Sequence, residues 1–183
     1  MAVDSPSLPD VMGWIARRAR QFFLAVTAPL TADDWDEAQR ILTPTQCVLF
    51  LQMPLPDRRH ALTVLRTLEA QGEQQSDLLV AALLHDVGKA GASASLWMRV
   101  TVALLEWFAP TLLDRLSQEG GRGWRGYLAA YCQHAEVGAR QAAQVGCSPL
   151  TVALIRRHHK PVGRLEGEQD RLLALLQEAD GSF

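Results

Sequence analysis

Residues 78–89 read LLVAALLHDVGK. An unbroken apolar run, Leu78 through Leu84, leads directly into the adjacent pair His85 and Asp86, and Gly88 follows where a helix would end. His85 comes four and three positions after Ala81 and Ala82, and Asp86 stands in the same relation to Ala82 and Leu83. Both polar groups therefore prolong the apolar stripe instead of facing water. A buried imidazole and a buried carboxylate must be compensated by partners. The pair alone leaves two answers open. One is a hydrogen-bonded His-Asp pair in a core. The other is a metal, to which histidine gives a nitrogen and aspartate gives oxygens that can bridge two ions.

Working outward, apolar residues recur at helical spacing and no stretch alternates convincingly as a strand, so the expected fold class is all-α. Upstream, Asp57 starts a helix to Ala70 with the stripe Ala61, Val64, Leu65, Leu68. His60 lies on that stripe, four and eight positions before Val64 and Leu68. Shorter helices are expected over residues 31–40 and 44–52, and an arginine-bearing one over 10–27. Downstream, apolar helices are expected over 94–108 and 110–117, then a glycine-rich loop at 120–126. Helical patterns follow at 124–131 and 134–145. Ser148-Pro149 is an N-cap with proline at N1, opening a helix that carries Leu150, Leu154 and Ile155 into His158 and His159. A final helix, about 168–179, ends its stripe at Asp180.

The 183 residues suffice for one domain with a real core plus a small helical extension. A formal net charge of −2 provides no basic field for a long nucleic acid. Three cysteines, Cys47, Cys132 and Cys147, without CxxC spacing, indicate no disulfide framework, and reduced thiols in a cytoplasmic protein are expected. The most apolar span, residues 96–113, contains Arg99, Glu106 and Pro110, so stable membrane insertion is not expected. Exposed tryptophans among Trp97, Trp107 and Trp124 would mark a homodimer surface.

All five histidines, His60, His85, His134, His158 and His159, fall at expected helix ends or on apolar stripes. With Asp86 and Asp180 they form an inventory of imidazoles and carboxylates that a helical core can gather around one cavity. Mixed nitrogen and oxygen ligands suit Mn, Fe, Co, Ni or Zn better than Ca. The ordered series is His60, then His85-Asp86 in LLHDVGK, then His134 in HAEVGA, then IRRHH, then Asp180 in EAD. It resembles the HD-domain metal-dependent phosphohydrolase superfamily over residues 57–180.

The resemblance implies a helical bundle with metals inside it, an HD domain over 54–183 and an N-terminal helical extension over 1–53. It also implies a first ion held by His60, His85, Asp86 and Asp180, with Asp86 bridging to a second completed by His134 and His158. His158 is preferred because it follows Leu154 by four and Ile155 by three, while His159 either ligates or contacts substrate. Adjacent helical residues point about 100° apart, so both reach one ion only at a frayed helix end. The implied activity is hydrolysis of phosphate esters in a nucleotide or other small phosphorylated substrate. It uses two divalent ions, with Mg also compatible.

Asp86 and Lys89 are the candidate catalytic residues. Lys89 either holds a phosphate or serves the negative end of a helix. Arg59, with Arg58, either lines the mouth as a substrate contact or lies on a solvated face. The HD-GYP phosphodiesterase pattern is absent, since Lys160-Pro161-Val162-Gly163 follows the double histidine. The same ligand set also resembles mixed-valent diiron oxygenases of this fold, and a non-catalytic HD-type signalling module is the third alternative.

Overall fold

Two threonine capping boxes open the described helices. Thr31 caps α1 (Ala32–Ile41), its hydroxyl accepting from the Asp34 amide while the Asp34 carboxylate accepts from the Thr31 amide. Thr43 and Gln46 repeat the arrangement at α2 (Pro44–Leu51), with Pro44 at the first turn. The chain then forms α3 (Leu55–Ala70), α4 (Ser76–Leu84), a 3-10 turn (Val87–Lys89), α5 (Trp124–Gln144), α6 (Pro149–Arg157) and α7 (Glu168–Asp180). The computed structural model describes residues 29–89, 124–162 and 167–181, with residues 124–132 described as helical backbone. Among these the fold is all-α, without a strand. The helices expected at 10–27, 94–108 and 110–117 lie outside the described residues, as do Trp97 and Trp107.

The apolar composition of α4 explains the architecture. Every residue from Leu78 to Leu84 is buried, so this helix has no solvent face along that stretch. It is wrapped by α3, α6 and α7 and touched by α1 and α2. Each main neighbour contributes one stripe: Ala61, Val64, Leu65 and Leu68 from α3, Leu154 and Ile155 from α6, Leu172, Leu173 and Leu176 from α7. Asp77, on the first turn of α4, fixes α6 from its own N-terminus. Its Oδ1 accepts from the Ser148 hydroxyl and, at 2.8 Å, from that of Thr151. Ser148 also caps α6 by accepting from the Thr151 amide at 3.0 Å.

Three local expectations are corrected. The central helix stops at Leu84, short of Gly88, because the His85 ring competes for a last-turn carbonyl: its Nδ1 lies 2.9 Å from the Ala82 oxygen. Gly88 is not a helix cap and has no positive φ. Its missing side chain lets the 3-10 turn cross α5 in backbone contact. A Cβ there would collide with the His134 carbonyl oxygen and stand 2.7 Å from the Gly138 amide nitrogen. Finally, residues 124–144 are one continuous helix, not two, so Trp124, Arg125 and Gly126 are helical and not part of a loop. Glycine at 126 and 138 costs some propensity but does not break the helix, because the helix is packed against α6 and the 3-10 turn.

Gly88→Ala is therefore expected to lower stability by about 1–3 kcal/mol or more, read as a shifted denaturant midpoint; a neutral substitution would refute the close crossing. Asp77 yields a pH prediction. Burial raises its carboxyl pKa, but bonds from Ser148, Thr151 and Gln75 overcome this and hold it below the ordinary value. A folded pKa below the unfolded one contributes stability that is present above the unfolded pKa and lost as pH falls through the folded one. Asp77→Asn should cost about 1–3 kcal/mol at neutral pH and flatten the acid limb of the stability profile.

Candidate metal centre

The five histidines and two aspartates singled out in the sequence meet at one end of α4. His60 comes from the first turns of α3, His85 and Asp86 follow α4, and His134 lies midway along α5. His158 and His159 follow α6, and Asp180 closes α7. The ligand atoms fall into two sets, each with all its members within 4.8 Å of one another. One is His60, His85 and Asp180; the other is Asp86, His134, His158 and His159. In the first, Asp180 Oδ1 lies 2.7 Å from His60 Nε2 and 3.3 Å from His85 Nε2. In the second, His134 Nε2 lies 3.2 Å from His158 Nε2, 3.1 Å from His159 Nε2 and 3.3 Å from Asp86 Oδ1.

Helix ends make this possible. Where α4 stops, His85 Nδ1–H donates to the Ala82 carbonyl; where α6 stops, His158 Nδ1–H donates to the Ile155 carbonyl at 2.7 Å. Both bonds span three residues and use carbonyls that a terminating helix leaves over. Each fixes the ring and leaves Nε2 as a bare acceptor in the neutral tautomer. The chain is already turning at His158, so His159 also reaches the second set, as a frayed end requires. Gln177 clamps this turn, its amide donating to the His158 and Lys160 carbonyls at 2.9 and 2.7 Å.

These atoms fit a cation. Imidazole nitrogens and carboxylate oxygens converge within both sets, and two fully enclosed atoms, His85 Nε2 and Asp86 Oδ1, have no hydrogen-bond partner among the described residues. Three imidazoles with one carboxylate, and two imidazoles with one carboxylate, are transition-metal donor sets. Burial would raise the Asp86 pKa, but the charges of His85 and Lys89 hold it well below the carboxylate range. Burial would raise Asp180 as well, but the bond from His60 and the nearby His85 ring hold it far down. Burial and the neighbouring His158 and His134 push His159 down to about 3, and burial lowers His158. Both rings are therefore neutral and ligand-competent at pH 7. Burial would lower the His85 pKa, but the nearby Asp86 and Asp180 outweigh it and raise the value, so a proton or a cation is favoured between them.

The two remaining candidates behave differently from one another. Lys89 does enter the centre, but its Nζ donates to Asp86 Oδ2 at 2.8 Å, which makes it a partner of the carboxylate and not a cap on α4. Arg59 turns aside. One position along α3 rotates it about 100° from His60, and its Nη1 donates to the Pro29 carbonyl at 3.3 Å. The cavity it lines with Asp34 and Arg66, about 50 Å³, contains none of the seven ligand candidates. A larger cavity, about 390 Å³ around Arg40, Glu69 and Glu73, also shares no residue with the histidines, so size does not mark the chemistry here. Asp57 is a neighbour of the centre that the sequence reading does not single out. It is buried one turn before His60, and its charge acts on Lys89; the i,i+3 spacing to His60 is the available signal.

Comparisons with protein-family models, curated proteins and solved structures found no match to this chain. No helix of the described residues is long and apolar enough to cross a membrane.

Adding Mn²⁺ or Zn²⁺ to chelator-treated protein should raise the melting temperature. An ion at about one hundred times its dissociation constant contributes about 2.7 kcal/mol. Asp86→Ala should remove most of that increase. An unchanged melting temperature in the wild type with every transition ion would eliminate the centre.

Proposed function

We propose that the protein is an HD-type metal-dependent phosphohydrolase acting on a small phosphorylated substrate or nucleotide. The observation that supports this most is the position of Asp86, whose carboxylate stands between two His/Asp ligand sets supplied by five separate segments. A structural staple needs one closed set of ligands. Two adjoining sets, one of them half-open to solvent at His60 and Asp180, suit a site that admits a substrate.

Divalent ions bound there would supply positive charge to phosphoryl oxygens and lower the pKa of a water toward neutrality. The chain's own part is orientation. The Ala82 and Ile155 carbonyls hold His85 and His158 in the tautomer that presents Nε2. Gln177 holds the turn that presents His159. Lys89 holds Asp86 in a fixed rotamer and offers an ammonium beside the site. His159 and Lys160 are exposed at the rim, where an anionic substrate would arrive.

A specific feature favours a second reading. His60, His85 and Asp180 form a two-histidine, one-carboxylate set, which is also the ligand type of non-haem iron oxygenases. The two readings separate on one preparation. Under the hydrolase reading, protein loaded with Mn²⁺ or Co²⁺ turns over nucleotides or a generic phosphodiester without consuming oxygen. EDTA abolishes that turnover, and Asp86→Asn lowers it on the order of 10³-fold. Metal-loaded protein that is inert toward every phosphoester tested would reject this reading, and iron-dependent oxygen uptake would establish the second.

A further inference from the structure

The two ligand sets meet at one carboxylate whose oxygens are not equivalent. Asp86 Oδ1 faces His134 Nε2 at 3.3 Å and His158 Nε2 at 3.7 Å. Asp86 Oδ2 faces His85 Nε2 at 3.7 Å and receives the Lys89 ammonium at 2.8 Å. The lysine thus sits on the oxygen that a bridge toward His60, His85 and Asp180 would use. It is short-tethered: the 3-10 turn returns the Lys89 amide to the Asp86 carbonyl at 2.9 Å, so backbone and side chain both close on the same residue. Its side chain is only 18% exposed. Asp86 groups with His134, His158 and His159 and not with the other three ligands.

We infer that Lys89 acts as a resident cation that makes the centre load in sequence. The first divalent ion goes to Asp86, His134, His158 and His159, and the His60, His85 and Asp180 set holds a second only weakly while Lys89 occupies Asp86. A fixed positive charge in contact with an oxygen repels a divalent ion seeking that same oxygen, and low dielectric strengthens the effect. This departs from an equal pair of bridged ions. It depends on metal binding and not on phosphoester hydrolysis, so either can fail without the other.

The test is equilibrium dialysis of the chelator-treated full chain against Co²⁺, with bound ion per chain counted by elemental analysis. The wild type should bind one ion tightly and a second at least about ten-fold more weakly. Lys89→Met should bring the second ion to within about three-fold of the first. His159→Ala should weaken the tight ion at least about ten-fold, while His60→Ala leaves it within about three-fold. Circular dichroism checks that each variant is folded, and the wild-type isotherm alone decides if Lys89→Met is not. Two ions of equal affinity in the wild type overturn the inference, as does no bound ion. So does a folded Lys89→Met that still takes a single tight ion, or loss of that ion in His60→Ala with retention in His159→Ala.

Discussion

The backbone of the turn at Gly88 rests directly on the backbone of α5, and the centre exists because of how close that approach is. The contact is with the His134 carbonyl and the Gly138 amide, one helical turn apart. Asp86 precedes Gly88 by two residues, so the crossing delivers its carboxylate to 3.3 Å from the His134 ring. Gly138 plays the reciprocal part: a Cβ there would meet the Gly88 amide nitrogen at 3.0 Å and the Val87 side chain at 3.2 Å. Neither glycine has a positive φ. Both are present for space, which makes them part of the candidate centre although neither offers a ligand.

The central helix creates a second requirement. With Leu78 through Leu84 all buried, whatever follows α4 also begins inside the protein. A helix that ends in a core leaves carbonyls without partners, and a carboxylate there lacks water. The imidazole of His85 answers the first problem through Ala82, and Lys89 with the surrounding rings answers the second. His158 repeats the solution at the end of α6. Two buried helix ends facing each other across a shared carboxylate thus satisfy their backbones with Nδ1 and converge on Nε2. Ligand geometry and helix termination are the same set of bonds.

Much of this is legible in the sequence, and the parts that are not share a cause. The all-α class, the capping at Thr31 and Ser148, and the gathering of His60, His85, His134, His158 and Asp180 are signalled by periodicity, local chemistry and an ordered series of motifs, whose clues each lie within a few residues. The misreadings concern packing between distant segments. Gly88 looks like a helix stop because glycine usually is one, and only the presence of α5 shows its other use. The single long α5 reads as two helices because glycine and alanine spacing is weak there, and propensity yields to a packed face. Asp57 does not stand out because a carboxylate on a first helical turn is ordinarily a solvated one; its burial depends on the fold.

The exposure of the two ligand sets is unequal, and this constrains any chemistry. His134 and His158 are 2% and 0% exposed, whereas His60 and Asp180 are 30% and 22% exposed. Among the described residues, His159 is the inner ligand that reaches the surface, so an ion in the inner set meets solvent on that side. The outer set meets solvent directly, and two of its ligands stand on α3 and α7, which pack on each other as well as on α4. The inner set is pinned by a backbone bond at His158 and by the Gly88 crossing at His134. In the outer set the backbone bond is at His85, while His60 and Asp180 hold one another at 2.7 Å. Burial is therefore deepest at Asp86, His134 and His158, with His85 the comparably buried ligand of the outer set. Asp86 is the sole acid of that set, and its second oxygen faces the outer one across to His85. A single side chain thus joins the two sets, and the cation that neutralises it, Lys89, is attached to the same turn.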